Sequence, residues 1–282
     1  MEKRFVFELP EISVLARQMA EVLPGKVVSE GLLGNRPHKF VWYNRTPEEF
    51  ASLTAGKTLG VATSRGRWLL LPLEPGYLLA LGELGGRLLY HAPGDPEPEA
   101  YHLLLRFADG SALSAMTQMW GAMELHQRGE ERTRPYLGDM RATPGDPEFT
   151  FAYFDRLVDD VAAEPRKRSV KGLLVLDQLV PGLGNAIAQD IMFAAHLDPR
   201  HSARELDPGQ RRALYDAIRE TLRRAIEHGG RSDELDLFGH RGGYQRVLDR
   251  DRVGTPCPSC GTAIEKIQYL GGACYLCPGC QN

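Results

Sequence analysis

The order of apolar and polar positions predicts an N-terminal helix followed by a long run of short strands. From Pro10 to about Val22 the apolar residues recur at helical spacing, and Pro24-Gly25 ends the pattern. Between residues 26 and 124, short apolar runs alternate with turn signals such as Pro75-Gly76 and Asp109-Gly110. Many short strands at close spacing predict an antiparallel sandwich or barrel.

The pattern changes again in the second half of the chain. Residues 128–149 are polar, contain Pro and Gly, and predict a linker. Asp207-Pro208 then starts a helix that Gly229-Gly230 closes, with apolar residues on one stripe. Two further strands are predicted over 264–269 and 273–276, on either side of a glycine pair.

Cysteine spacing is the strongest chemical signal in the sequence. Four of the five cysteines lie in the last 26 residues, as Cys257-Pro-Ser-Cys260 and Cys277-Pro-Gly-Cys280. Two Cys-x2-Cys pairs separated by sixteen residues are typical of a tetrahedral zinc site. Cys274 also forms a Cys-x2-Cys with Cys277, so the ligand set stays ambiguous by spacing alone. The repeated Cys-Pro-x-Cys favours Cys277 with Cys280 and leaves Cys274 in the core.

The overall composition says less about the class of protein than the spacing of the cysteines does. The chain is 43% hydrophobic and 25% charged, with a net charge of −3, which is ordinary for two or three globular domains. It contains no run of about 18 apolar residues, so we expect a soluble, cytoplasmic protein. Global charge does not predict a nucleic-acid partner. The compact basic cluster of Arg166-Lys167-Arg168 and Lys171 does point to one, although a solvated face explains that cluster when it stands alone.

A glycine-containing corner lies between two helical segments. In Pro181-Gly182-Leu183-Gly184-Asn185, the glycines permit a tight turn and Asn185 is a suitable helix N-cap. Free amides at a helix N-terminus suit a phosphate. Taken alone, the segment is more typical of an ordinary corner between two helices than of a phosphate site.

Together these motifs resemble the formamidopyrimidine-DNA glycosylase and endonuclease VIII family of base-excision enzymes. The basic cluster, the Gly-x-Gly-Asn corner, the four-cysteine module and the opening Glu8-Leu9-Pro10-Glu11 are distributed over nearly the whole chain. The resemblance implies an α+β, multidomain fold. Its parts are a leading helix with a β-sandwich over 1–127, a linker over 128–149, a helix-two-turn-helix domain over 150–233 and a β-hairpin zinc finger over 234–282.

The resemblance also implies catalytic roles at the start of the chain. Members of the family flip a damaged base out of the duplex and attack C1′ of its sugar with an N-terminal amine, usually that of proline. Glu8 matches the glutamate that handles protons at the sugar, and Glu11 matches the second family carboxylate. Phe7 occupies the position of the nucleophile but supplies no nucleophilic side chain.

Four further residues are matched to DNA contacts. Arg67 takes the place of the family's catalytic lysine, and Trp120 lies where the family inserts wedge residues. Lys171 and Asn185, fourteen positions apart, match a phosphate-binding pair. Gly272 stands where the family's finger carries a DNA-contacting arginine. The implied partner is damaged or abasic double-stranded DNA, bound in the bacterial nucleoid by a monomer that holds one structural Zn²⁺.

Three hypotheses about activity remain. Another amine, that of Met1 or Lys3, replaces the family nucleophile, or Glu8 activates water so that the enzyme is a glycosylase without lyase activity. Alternatively, the protein binds damaged DNA and is catalytically inactive. A generic zinc ribbon for RNA or protein contact is a weaker alternative, which the glycine corner disfavours.

Overall fold

The chain folds into two compact units. The computed structural model describes residues 6–36 and 39–281. Unit 1 is the N-terminal part up to Asp139 together with Ile226–Tyr244, and unit 2 is Met140–Ala225 together with the segment from Gln245 onward. The segment 226–244 therefore packs with the N-terminal part, although it lies far along the sequence. The four-part domain division stays a prediction.

Regular elements follow the order that the hydrophobic pattern predicts, except that the pattern did not predict a short helix over 47–54 or a strand over 41–43. The helices are α1 Leu9–Val22, α2 Pro47–Thr54, α3 Phe151–Ala163, α4 Val170–Val175, α5 Asn185–Ala194 and α6 Pro208–Glu227. The strands are β1 Val28–Leu33, β2 Val41–Tyr43, β3 Thr58–Leu59, β4 Thr63–Arg65, β5 Trp68–Glu74, β6 Tyr77–Gly82, β7 Gly86–His91, β8 Leu103–Phe107, β9 Ala112–Thr117, β10 Gly121–Gln127, β11 Glu265–Tyr269 and β12 Gly272–Leu276. Short 3₁₀ helices occupy Glu130–Thr133, Ala203–Glu205 and Arg250–Arg252.

Two sheets form the framework of unit 1. One has the strand order β1-β8-β9-β7, and the other has the order β2-β10-β6-β5-β3 with β4 paired to β5. Their pairings are antiparallel except that β10 runs parallel to the edge strand β2, a pairing that the sequence did not predict. The inward side chains of both sheets share one apolar core with α1. Leu237, from the segment 226–244, is fully buried in that core.

Unit 2 combines four helices with a two-stranded hairpin. A group of aromatic rings packs α3 against α6, and Phe149 stacks on Tyr215 with 5.9 Å between ring centroids. The hairpin β11–β12 and its flanking cysteines share a smaller apolar cluster with Phe193 of α5. The predicted helices from Pro10 and from Pro208, and the mixed α+β class, are confirmed.

Among the described residues, none of the helices combines the length and the apolar character needed to cross a membrane.

Candidate catalytic carboxylates and nucleic-acid interface

Glu8 and Glu11 lie at the start of α1 and are both buried. The backbone N of Glu8 donates to Oε2 of Glu11 at 2.9 Å, and the Glu8 side chain accepts from the Glu11 backbone in a reciprocal capping box. Each residue is only 3% exposed. Both carboxylates therefore cap the N-terminus of α1.

A buried arginine compensates these carboxylates. Arg231 Nη2 donates to Glu11 Oε2 at 3.0 Å and to Glu234 Oε1 at 3.3 Å, and its Nη1 lies 3.9 Å from Glu8 Oε1. The Arg231 backbone N donates to Glu11 Oε1 at 2.9 Å. We call Arg231, Glu8, Glu11 and Glu234 the Arg231 cluster. Its side chains are each 3 to 4% exposed, so the charges interact away from bulk water.

The backbone at Gly230 lies against Glu11, and the cluster also binds the backbone of Val6. Gly230 has a φ of +90°, and a Cβ added there would lie 3.4 Å from Glu11 Oε1. Arg231 Nη2 also donates to the Val6 carbonyl at 2.6 Å, and the Val6 N donates to Glu234 Oε1 at 3.2 Å. The segment 226–244 thus holds the start of α1 by both backbone and side-chain contacts.

Burial governs the protonation of the fourth member of the cluster. Removal from water raises the pKa of Glu234 to about 8, even though the nearby Arg231 opposes that shift. The three glutamates favour the charged form of Arg231 and raise its pKa. Glu234 Oε2 is a buried atom without a hydrogen-bond partner among the described residues, as a neutral carboxyl tolerates better than a charged one.

Phe7 occupies the family's nucleophile position as a core residue. Its side chain is 1% exposed and belongs to the apolar core of unit 1. Its backbone N is a peptide amide that donates to the Leu84 carbonyl at 2.9 Å. A peptide nitrogen has its lone pair delocalised into the carbonyl, so this atom is no nucleophile. Met1 and Lys3, the alternative amines, lie outside the described residues.

Arg67 and Trp120 line one surface cavity of unit 1. Arg67 is in the turn between β4 and β5, and its Nη1 donates to Glu83. Trp120, which directly precedes β10, is 58% exposed and is therefore not a core residue. The predicted DNA contact of each residue stays a prediction.

Lys171 and Asn185 both contact the hairpin of unit 2. Lys171 Nζ donates to the Tyr269 carbonyl at 2.8 Å, and Asn185 Nδ2 donates to the Ala273 carbonyl at 3.0 Å. Burial lowers the pKa of Lys171. These bonds fix both polar side chains against the hairpin.

The prediction that Asn185 caps α5 is wrong. Gly184 is the N-cap and Asn185 is the first helical residue, because its side chain is engaged with Ala273. Of the two corner glycines, Gly182 has a φ of +93°, a backbone conformation that favours glycine over other residues. Gly184 has an extended backbone that any residue can adopt. Gly184 has no side chain with which to cap α5.

Acidic side chains from nearby positions neutralise part of the basic cluster of unit 2, although the cluster itself contains no acid in sequence. Arg168 Nη1 donates to Asp177 Oδ2 at 2.6 Å, and Arg166 reaches the same carboxylate at 3.2 Å. Arg168 Nε also donates to Glu164 at 3.1 Å. Two of the four cations in this cluster, Arg166 and Arg168, are therefore held in ion pairs.

Four cysteines converge at the base of the hairpin. The sulfurs of Cys257, Cys260, Cys277 and Cys280 all lie within 4.8 Å of one another. Sγ–Sγ distances are 3.7 Å from Cys257 to Cys280 and 3.4 Å from Cys260 to Cys277. A tetrahedron with Zn–S bonds of about 2.3 Å has edges of about 3.8 Å, so the four thiols fit one metal ion. Cys274 is buried on β12 outside this group.

The hairpin tip lacks a long side chain at the position of the family's arginine. Gly272 begins β12, and the tip between the strands consists of Leu270 and Gly271. Leu270 is 44% exposed with a φ of +51°. The tip therefore presents an apolar residue and backbone.

Sequence reasoning missed Arg231 and Glu234, and also the aromatic residues Phe40 and Trp42 beside Trp120. Arg231 lies 220 positions from Glu11, and no local spacing relates the two. The only available signal was that Arg231 and Glu234 follow the glycine pair that ends α6.

Comparisons with known proteins agree with this architecture. Residues 7–119 match the model of the formamidopyrimidine-DNA glycosylase N-terminal domain, and residues 143–236 match that of the formamidopyrimidine-DNA glycosylase H2TH domain. A formamidopyrimidine-DNA glycosylase of Bacillus licheniformis is 32% identical over 98% of this chain and 99% of its own length.

Solved structures give the same result. The MutM (Fpg) protein of Thermus thermophilus is 28% identical, with a TM-score of 0.81 over 97% of this chain and 98% of that chain. Lactococcus lactis Fpg, solved in complex with DNA that contains an abasic site, is 25% identical with a TM-score of 0.83 over 97% and 99%.

A paired-sheet unit, a helix-two-turn-helix unit and a four-cysteine hairpin together are those of a DNA glycosylase of base-excision repair. The chain belongs to the formamidopyrimidine-DNA glycosylase family.

Proposed function

We propose that this protein binds damaged or abasic double-stranded DNA and releases a damaged base as a DNA N-glycosylase in base-excision repair. Family membership supports the class of reaction, and the DNA complex of the Lactococcus lactis relative supports the partner. The chain retains Glu8 and Glu11 at the start of α1, and Lys171 and Asn185 beside the hairpin. The bacterial relatives suggest that the substrate is the DNA of the bacterial nucleoid.

The base is released by hydrolysis in this proposal rather than through a covalent enzyme intermediate. The observation that carries this choice is the state of the Phe7 nitrogen. It is a peptide amide that donates a hydrogen bond to the Leu84 carbonyl, and the Phe7 ring is buried in the core. Glu8 takes a proton from water as the water oxygen bonds to C1′, and the N-glycosidic bond breaks with its electron pair on the departing base. Glu11 and Arg231 position Glu8 through the capping box and the 3.9 Å approach of Arg231 Nη1.

For unit 2 we propose a structural zinc site at the four cysteines. Cys257, Cys260, Cys277 and Cys280 would bind one Zn²⁺, which would stabilise the hairpin and take no part in the reaction. Lys171 and Asn185 donate to hairpin carbonyls, so an ordered hairpin keeps them in position for DNA phosphates.

The chemical step is tested with duplexes that each carry one damaged base. We expect base release from at least one lesion, and no adduct when borohydride is added to an abasic duplex. Glu8→Gln should abolish release while the affinity for an abasic duplex is kept. Glu21→Gln, an exposed glutamate of the same helix, is the matched control and should act as wild type. A borohydride-trapped adduct would refute the hydrolytic route.

The Arg231 cluster favours a second candidate, a catalytically inactive protein that binds damaged DNA. The Glu8 side chain is only 3% exposed and lies 3.9 Å from Arg231 Nη1, so little of its carboxylate is accessible to water or to a sugar. Tight abasic-duplex binding with no release from the whole lesion panel, in wild type and Glu8→Gln alike, would establish this alternative.

A further inference from the structure

The Arg231 cluster contains more acid than its single cation compensates. The Arg231 guanidinium lies 3.9 Å from Glu8, 3.0 Å from Glu11 and 3.3 Å from Glu234, measured between the nearest nitrogen and oxygen. Burial keeps Glu234 neutral near pH 7, because it raises the pKa of this carboxyl to about 8. Two carboxylates still face one guanidinium, so the cluster retains an uncompensated negative charge.

The arginines of segment 226–244 do not cancel this charge. The segment contains four Asp and Glu residues and two arginines. Asp233, next to Glu234 in the chain, is one of the acids that help to raise the pKa of the Glu234 carboxyl. The second arginine, Arg241, is exposed and donates to the Ser232 carbonyl at 3.4 Å, so water and salt screen its charge. The surroundings of Glu8 therefore favour a ligand that brings a positive charge.

Two buried polar atoms of the cluster lack partners. Glu234 Oε2 and Arg231 Nε are both buried without a hydrogen-bond partner among the described residues, and each side chain is only 4% exposed. Buried polar groups are nearly always paired in folded proteins. A polar group of a bound ligand would complete the cluster, which is therefore more than a helix cap.

The hydrolytic route leaves the departing base without a suitable proton donor in this cluster. Glu8 takes the proton of the attacking water, so it does not protonate the base in the same step. Arg231 holds its proton firmly, because the surrounding carboxyl groups raise its pKa. Transfer of the Glu234 proton would leave three buried carboxylates around one guanidinium, which desolvation opposes. A neutral base would therefore have to leave as an anion, whereas a cationic base leaves as a neutral molecule.

We propose that the substrate of this protein is a base that already carries a positive charge, namely a purine alkylated on a ring nitrogen such as N7 or N3. The Arg231 cluster attracts this charge, and the charge makes the base a good leaving group. Water bonds to C1′ as the C1′–N9 bond breaks, the bonding electron pair neutralises the base, and the water proton goes to Glu8. The inference rests on the proposed glycosylase function and names the substrate class of the same site.

Two duplexes that differ only in the charge of one base test the attraction. One carries N7-methylguanine and the other carries 7-methyl-7-deazaguanine, which has the same shape and no charge. A 2′-fluoro sugar under each base prevents hydrolysis. Fluorescence anisotropy at pH 6, where N7-methylguanine is cationic, gives both affinities. We expect the cationic duplex to bind at least fivefold more tightly, since opposite charges attract strongly away from bulk water. Equal affinities would overturn the proposal.

A variant at Glu8 identifies the charge that attracts the base. Glu8→Gln keeps the size of the side chain and removes one negative charge, so the preference for the cationic duplex should fall below about twofold. Affinity for the neutral duplex should stay unchanged, which also shows that the variant is folded. Glu21→Gln, at an exposed position of the same helix, is the matched control and should keep the full preference. A preference that survives in Glu8→Gln would refute the assignment to the Arg231 cluster.

Rates of base release separate this inference from the proposed function. Duplexes with N7-methylguanine or with the neutral 8-oxoguanine, both on ordinary deoxyribose, are incubated with and without protein, and spontaneous release is subtracted. We expect N7-methylguanine to be released at least tenfold faster, because it leaves without a proton donor. Equal or faster release of 8-oxoguanine would overturn the substrate class and keep the glycosylase. Absence of release from both duplexes, with the binding preference intact, would refute the glycosylase and keep a site for cationic bases.

Discussion

Two groups of reactive side chains in this protein differ in how they are organised. The four cysteines of unit 2 belong to two short motifs, and each motif brings its own pair of sulfurs together. The Arg231 cluster of unit 1 joins residues from the two ends of a discontinuous unit, and it becomes complete only when segment 226–244 packs on α1. Short-range spacing thus identifies the first group, whereas tertiary packing creates the second.

Zinc removal should have the largest effect. We expect one zinc per chain, and none after Cys280→Ser, because three thiolates leave the tetrahedral site incomplete. Metal binding contributes on the order of 10 kcal/mol to small zinc modules, so loss of the ion should unfold the hairpin. Metal analysis together with proteolysis measures both effects. Cys274→Ala is the control and should retain the ion, and zinc loss in that variant would contradict the ligand set.

Removal of the buried cation should have the next largest effect. Arg231→Met leaves the carboxylates of Glu8 and Glu11 buried without their counter-charge, and a broken buried pair costs about 3–5 kcal/mol. Urea unfolding monitored by circular dichroism gives the free energy. Arg17→Met removes an exposed arginine of α1 and should change stability by less than about 0.5 kcal/mol. Equal losses in both variants would mean that the Arg231 cluster contributes no more than a surface charge.

The pH dependence of the free energy of unfolding tests the raised pKa of Glu234. Its pKa is raised to about 8, so the folded state keeps a proton that the unfolded carboxyl releases near pH 4.5. Between these values the unfolded state binds fewer protons, and stability falls as pH rises. Relative to Glu234→Gln, wild type should lose about 2 kcal/mol or more between pH 5 and 8. Parallel unfolding curves for the two proteins over this range would contradict the raised pKa.

The contact between α5 and the hairpin should give the smallest effect. Asn185→Ala removes the bond to the Ala273 carbonyl, and a hydrogen bond of this kind contributes about 1 kcal/mol. We expect affinity for an abasic duplex to fall about tenfold if the side chain also meets a phosphate. Gln210→Ala, at the start of α6, is the control for binding measured by anisotropy. Undiminished binding by Asn185→Ala would remove this residue from the interface.

Local patterns predicted the helices and the grouping of the four cysteines, because the causes of both are local. Helical spacing from Pro10 and from Pro208 placed α1 and α6 within a residue or two of their ends. The same reasoning failed at Asn185, where a tertiary bond to Ala273 competes with helix capping. Sequence also gave no indication that β2 pairs in parallel with β10, because that register depends on strands about 80 positions apart.

The candidate site was harder to predict than the fold. Glu8 and Glu11 were identified from the resemblance, yet their burial and their partner Arg231 depend on a contact across 220 positions. The exposed pair Trp42 and Trp120 likewise becomes one surface only through the parallel strand pairing. Chemistry that rests on one motif can be inferred from sequence, whereas electrostatic environment requires the assembled structure.

The discontinuity of unit 1 has a consequence for biosynthesis. A nascent chain that has emerged from the ribosome up to Asp139 already contains both sheets and α1, but it lacks Arg231 and Leu237. Domains otherwise tend to fold in order from the N-terminus during synthesis. Here the carboxylates of Glu8 and Glu11 lack their buried counter-charge until Arg231 has been translated, 220 codons after Glu11, so the N-terminal part cannot complete its folding until most of the protein has been made.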